Sequence, residues 1–228
     1  MKNVVYLATP NIYEDMVTAA KSLLANNKID HVYFLTEHDQ FPEKLPHNIR
    51  TINVKGQNFF KKDGPNYNFR LTYMVMMKCA LPYILSDVDK ILCLDCDTIV
   101  IDDISGVWDQ NIDDHYFAAC LEPNVSKIRG TDYYNFGSVY LNLEKLRKDM
   151  KALEAIDILN SKKYDFTEQD VMNIVCKDHI LEMSSEYNVC NYTKRTDHPR
   201  IIHYAGRNDW RDKPLVTKYK NIEWEDIL

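Results

Sequence analysis

The chain has 228 residues, with 28 Lys and Arg set against 34 Asp and Glu for a formal net charge of −6. No basic stripe is available to neutralise a phosphate backbone, which argues against nucleic acid as a partner. Hydrophobic residues make up 45% of the chain and there are only 6 Gly and 8 Pro, so it can bury a sizeable core and is neither collagenous nor disordered.

Residues 3–8 form an apolar run that ends in Thr9-Pro10-Asn11, after which Met16, Ala19, Ala20, Leu23 and Leu24 recur at helical spacing. The order is strand, turn, helix. Asn11 followed by Glu14 has the spacing of a capping box, which predicts a helix starting at Asn11 with free N–H groups beside the strand's C-terminal end. The opening apolar run is too short for the core of a signal peptide, and no later stretch approaches the ~20 apolar residues of a membrane span. The expectation is a cytoplasmic protein, with peripheral membrane contact left open. Residues 31–36 and 49–54 are the next strands, separated by a polar loop containing proline. Residues 71–85 read as a helix in which Pro82 makes a kink or a break.

Residues 90–94 form a dense apolar run ending in Asp95-Cys96-Asp97, and residues 116–121 offer a similar buried strand. This alternation predicts an α/β fold with a mainly parallel central sheet flanked by helices, as one unit over residues 1–228. In open sheets of that kind ligands gather beyond the carboxyl ends of the strands, which directs attention to residues 8–13 and 95–97. The six cysteines lie mostly among apolar neighbours and read as buried, reduced thiols. Cys93 and Cys96 do not read as a zinc pair, because strand positions three apart point to opposite faces.

Two Asp-x-Asp spacings occur, Asp87/Asp89 and Asp95/Asp97. The first lies in a polar turn and reads as solvated. The second ends the most apolar strand, where extended backbone would aim both carboxylates the same way and desolvating two like charges is costly without a cation. Oxygen donors of this kind suit magnesium or manganese, with a substrate phosphate completing the shell. His203 also ends an apolar run, just ahead of a glycine, and a neutral imidazole suits manganese.

These residues sit within five motifs: Leu7-Ala8-Thr9-Pro10-Asn11-Ile12-Tyr13, the strand through Asp95-Cys96-Asp97-Thr98, Tyr134-Asn135-Phe136-Gly137-Ser138, Glu168-Gln169-Asp170, and Ile202-His203-Tyr204-Ala205-Gly206 with Lys213-Pro214. In that order they resemble glycosyltransferase family 8, the retaining nucleotide-sugar enzymes that include bacterial lipopolysaccharide galactosyl- and glucosyltransferases and glycogenin. The resemblance implies a single GT-A, Rossmann-like domain. It also implies transfer of a hexose from a UDP-sugar to a hydroxyl of a saccharide or glycoconjugate acceptor, with Mn2+ or Mg2+ held by Asp95, Asp97 and His203. It assigns Ala8, Thr9, Asn11, Tyr13, Lys78, Cys96, Gly206 and Lys213 to the donor nucleotide and diphosphate. Glu122, Asn135, Gly137, Glu168 and Gln169 fall to the sugar, and Gln169, Asp170 and Asn135 to catalysis. Tyr13 is either a ring stacked on the base or ordinary packing. Lys78 either neutralises phosphates or pairs with a metal-site aspartate. Arg207 and Arg211 are alternatives to Lys213, and Thr167 reads as the cap of a helix bearing Glu168. Two other readings stay open: a catalytically silent sugar-nucleotide-binding protein, and a sugar-nucleotidyltransferase.

Overall fold

The structure, a computed structural model, describes residues 1–68 and 72–227. Its centre is a sheet of seven strands: β1 (Asn3–Leu7), β2 (His31–Thr36), β3 (Ile49–Asn53), β4 (Lys90–Leu94), β6 (Phe117–Leu121), β7 (Tyr134–Asn142) and β8 (Ile180–Glu182). They lie in the order β3-β2-β1-β4-β7-β6-β8. All pairings are parallel except those of β7, which runs against both β4 and β6. A separate two-stranded ribbon pairs β5 (Thr98–Val100) with β9 (Ile201–His203).

Period-two alternation splits the strands between two cores. Val5 and Leu7 of β1 face one apolar cluster, built with Met77 and Leu81 of α2 (Tyr73–Ile84) and Val171 and Met172 of the helix Thr167–Val175. Val4 and Tyr6 face the other, with Met16, Ala20 and Leu23 of α1 (Tyr13–Asn26). Burial on both faces explains why these strands read as unbroken apolar runs. The expected mixed α/β layering is therefore present, and among the described residues no helix is long and apolar enough to cross a membrane. All six cysteines are free thiols.

Several local expectations are corrected. Helix α1 begins at Tyr13 after a 3-10 turn over Pro10–Ile12, and Asn11 caps nothing: its Oδ1 accepts from Thr9 Oγ1 at 2.7 Å. Pro at the first turn position fixes that tighter path in place of the capping box. Pro82 does not break α2, which runs on to Ile84 because the proline falls close to its end. The N-terminal Leu71 of the expected helix lies outside the described residues. Strand β7, fully buried over nine residues, was not anticipated as a strand, since Asn135, Gly137, Ser138 and Asn142 disguise its apolar pattern. Thr167 is not a cap but the first residue of the helix Thr167–Val175, held at a φ of 34°, a conformation costly for a β-branched side chain.

Candidate active site

Strand β4 stops at Leu94 and the chain turns before β5, so Asp95 and Asp97 lie in a turn and not on extended backbone. Thr98 closes that turn on the Asp95 carbonyl through its amide at 3.2 Å and its hydroxyl at 2.7 Å. The turn, rather than strand alternation, brings the two carboxylates together. The ribbon supplies the third group. Antiparallel pairing sets His203 opposite Thr98, which carries Nε2 to 3.3 Å from Asp97 and 3.8 Å from Asp95. Ligand atoms of Asp95, Asp97 and His203 all lie within 4.8 Å of one another.

Burial opposes a charged His203, yet the facing Asp97 carboxylate, a side-chain contact with Cys190 and the Asp95 carboxylate outweigh it and hold the imidazole pKa well above its ordinary value. Burial likewise pushes Asp97 up, and the His203 charge more than reverses it, leaving Asp97 below the usual carboxylate value. Both shifts describe a place that demands positive charge. Two hard oxygen donors and one imidazole nitrogen fit a divalent ion of the magnesium or manganese type.

Lys78 of α2 is buried, donating to Asp95 Oδ1 at 2.6 Å and to the Phe136 carbonyl at 2.9 Å, with Glu168 Oε1 at 3.5 Å. Burial would strip its proton, but Asp95 and Glu168 overcome that and keep the ammonium charged. Lys78 is therefore paired with Asp95 of the candidate cluster. Burial raises the Glu168 carboxyl, with Lys78 pulling the other way.

Behind the ligands lies a connected set of polar groups. His203 Nδ1 is 2.9 Å from Asn188 Oδ1, Asn188 Nδ2 donates to Asn135 Oδ1 at 2.8 Å, and Asn135 Nδ2 donates to Glu122 at 2.6 Å. Gln169 reaches the same Glu122 oxygen through Nε2 at 3.3 Å, while its Oε1 accepts the Phe136 amide at 2.9 Å. Burial raises the Glu122 carboxyl against these two amide donors. Gly137 owes its identity to His203, because a Cβ there would fall within the imidazole ring.

Two adjoining clefts meet at this centre. One, of about 320 Å3, is lined by residues including Leu7, Asp15, Lys78, Cys96, Trp210 and Arg211. The other, of about 260 Å3, is lined by residues including Glu122, Asn135, Gly137, Tyr192 and Gly206. Asp95, Asp97, Phe166 and Gln169 border both.

The remaining expected residues are more dispersed. Asp170 turns away from both clefts and accepts from Arg129 at 2.7 Å, Tyr133 at 2.6 Å and the Phe166 amide at 3.1 Å. Its carboxylate ties the helix Thr167–Val175 to Arg129 and Tyr133. The Tyr13 ring meets Phe41 at 5.0 Å and its hydroxyl accepts the Glu37 amide at 2.8 Å. Ala8 is buried, Thr9 and Asn11 bond each other, and from that loop Leu7 and Ile12 are the residues that reach the first cleft. Lys213 is paired with Asp209 and lines neither cleft, whereas Arg211 reaches the first one while gripping Asp15 with bonds of 2.5–3.1 Å. Lys213 does have the extended backbone that Pro214 imposes. Asn188, Asp15, Trp210, Phe166 and Tyr192 were not anticipated. Asp15 alone carried a signal, as an acid in the first turn of a helix facing a strand end.

The sequence profile described as glycosyl transferase family 8 matches residues 3–213. The chain belongs to that family. Among curated relatives of this family 8 chain is the lipopolysaccharide 1,2-glucosyltransferase of Escherichia coli K12, 31% identical over 61% of the chain and 51% of that protein. The glycosyltransferase GlyA of Streptococcus pneumoniae serotype 4 is 25% identical over 99% of the chain and 36% of that protein. The chain thus spans about a third to a half of the length of these two relatives. Among solved structures, the galactosyltransferase LgtC, in complex with donor and acceptor sugar analogues, aligns with a TM-score of 0.76 at 20% identity, covering 99% of this chain and all of that one. The glycosyltransferase GlyE of Streptococcus pneumoniae TIGR4 aligns at 0.73 with 17% identity, covering 99% of this chain and 62% of that one. The GT-A fold expected from the motifs is the fold of these neighbours.

Proposed function

We propose that this family 8 chain is a metal-dependent, retaining hexosyltransferase that moves glucose or galactose from a UDP-sugar to a hydroxyl of a saccharide or glycoconjugate. The observation that carries the reading is the Asp95, Asp97 and His203 cluster at the junction of two clefts, one for the donor's nucleotide diphosphate and one for the sugars. Asp95, Asp97 and His203 would hold Mn2+ or Mg2+, and the ion, when bound, supplies positive charge against the leaving diphosphate. Arg211, at the mouth of the first cleft, offers a guanidinium to phosphate. Lys78 removes one negative charge from the cluster by pairing with Asp95, which favours an anionic substrate.

Retention by a covalent intermediate needs a nucleophile beneath the sugar. Gln169 is ill suited to that: an amide oxygen is a weak nucleophile, and this one already accepts the Phe136 amide. Attack from the leaving group's own face, with the diphosphate oxygen receiving the acceptor's proton, fits better. Gln169 and Glu122 would then hold sugar hydroxyls as charge develops. The free thiols favour a reducing, cytoplasmic setting.

The test is a donor screen that follows UDP release from UDP-glucose, UDP-galactose and UDP-N-acetylglucosamine, with Mn2+ and with chelator, joined to NMR of the first-formed product. Turnover equal in chelator would overturn the metal assignment, and an inverted anomeric centre would overturn retention.

A further inference from the structure

Asn188 sits in the loop ahead of β9, wholly buried, and its side chain spans the gap between His203 and Asn135. Amide groups can be turned either way, so its usefulness depends on what fixes its direction. The Gly137 amide settles that direction. The Gly137 amide, which can only donate, is bonded to the Asn135 side chain at 2.9 Å, so the Asn135 atom there is the oxygen. The Asn135 nitrogen then faces Glu122, an acceptor, at 2.6 Å.

Asn188 meets the same Asn135 oxygen and must present its nitrogen to it, at 2.8 Å. Its own oxygen is left facing His203 Nδ1 at 2.9 Å. An oxygen can only accept, so Nδ1 carries the hydrogen, and in the neutral ring Nε2 keeps the lone pair that points toward Asp97 and Asp95. A backbone amide thus dictates, through two asparagines, which nitrogen of a histidine is free to bind an ion.

We propose that Asn188 is a positioning residue for the metal centre: it locks His203 in the Nδ1-protonated form and in the ring orientation that makes Nε2 a ligand. The inference rests on the metal reading under Proposed function. Groups that hold a ligating histidine this way typically contribute 10–100-fold in metal affinity. The same wiring engages both ends of the Asn135 amide, so Asn135 acts through Asn188 and Glu122 as well as lining the second cleft.

The experiment measures Mn2+ affinity in the presence of UDP by counting free Mn2+ with electron paramagnetic resonance. Wild type is compared with Asn188→Leu, Asn188→Asp and Thr193→Val. Leu keeps the volume and gives up the acceptor, and roughly 10-fold weaker Mn2+ binding or more is expected. Asp restores an acceptor for Nδ1 but gives up the donor that meets Asn135 Oδ1, so it should recover part of that affinity and bind Mn2+ more tightly than the Leu variant. Thr193 donates to the Asn188 backbone carbonyl at 2.7 Å, so Thr193→Val loosens the same loop without touching the amide and should leave Mn2+ affinity within about threefold of wild type, well short of the loss expected at the amide. Should Asn188→Leu fail to fold, nitrogen NMR of histidine-labelled wild type with Mg2+ and UDP reads the ring directly, with hydrogen expected on Nδ1. Wild type that binds no Mn2+ removes the metal reading itself. Wild type that binds, with a folded Asn188→Leu equal to it, or with Thr193→Val as impaired as Asn188→Leu, or with hydrogen on Nε2, overturns the role of Asn188 alone.

Discussion

Replacing Lys78 by Met removes a cation that is 3% exposed and sits 2.6 Å from Asp95 and 3.5 Å from Glu168. The two carboxylates respond differently. Asp95 is 33% exposed and can recover hydration, whereas Glu168, with its side chain 6% exposed, cannot. Breaking a buried pair by deleting one partner costs about 3–5 kcal/mol, and because Glu168 can escape by taking a proton the lower end is expected, about 3 kcal/mol. At a urea slope of ~2–3 kcal/mol/M the midpoint should fall by about 1 M at neutral pH. Burial already raises the Glu168 carboxyl, and without Lys78 it rises further. The folded state then binds a proton more tightly than the unfolded state, so stability is lost as pH climbs from the ordinary Glu range through the raised value. The loss should be smaller at pH 5 than at pH 8. Adding Glu168→Gln removes the stranded charge and should recover about 1–3 kcal/mol. Urea titrations of the two single variants and the double variant at both pH values decide the matter. A Lys78→Met protein within about 1 kcal/mol of wild type, or a double variant whose loss is the sum of the two single losses, refutes the reasoning.

Gly137→Ala should weaken Mn2+ binding by roughly 10-fold or more, because the added methyl displaces the His203 ring; calorimetry with Mn2+ and UDP checks it, and unchanged affinity would show that the ring has room to move. Arg211→Ala should raise the donor KM through loss of a charge-assisted bond of about 1.5–3 kcal/mol, while Lys213→Ala, whose ammonium is held by Asp209, should behave as wild type in steady-state kinetics; the reverse ordering would move the phosphate role to Lys213. Glu122→Gln should flatten part of the pH dependence of stability. Burial raises Glu122, so wild type loses that contribution as pH rises through and above the ordinary Glu range, and thermal melts at pH 5 and pH 8 should differ less in the variant.

What could be read in the sequence was what repeats with a period or stands out from it. The buried runs of β1, β2, β4 and β6 were legible because both faces of each strand are covered, and the Asp95/Asp97 pair was legible because charge interrupts the densest of those runs. Strand β7 was not, since half of its conspicuous residues serve the site. The same tension hid the reason for Gly137, which answers to a ring more than sixty positions away in the chain. Asn188 carried no local sign. Its meaning depends on a partner across the ribbon and on the direction of an amide, and neither is written in spacing. Lys213 is held by the neighbouring Asp209 outside the clefts, while the guanidinium two residues earlier, itself held by Asp15, reaches the first one, a difference that no spacing in the motif announces.

The ribbon of β5 and β9 also sets a timetable. Both aspartates leave the ribosome about a hundred residues ahead of His203, at the end of a strand whose parallel neighbours β1, β2 and β3 precede it in the chain. The imidazole arrives only with Ile201–His203, after the strands that close the far edge of the sheet. A nascent chain therefore displays a pair of carboxylates without the imidazole while the intervening residues are made, and it gains the third group of the candidate cluster only when the ribbon pairs. The cluster is completed in a single pairing step between segments about a hundred residues apart.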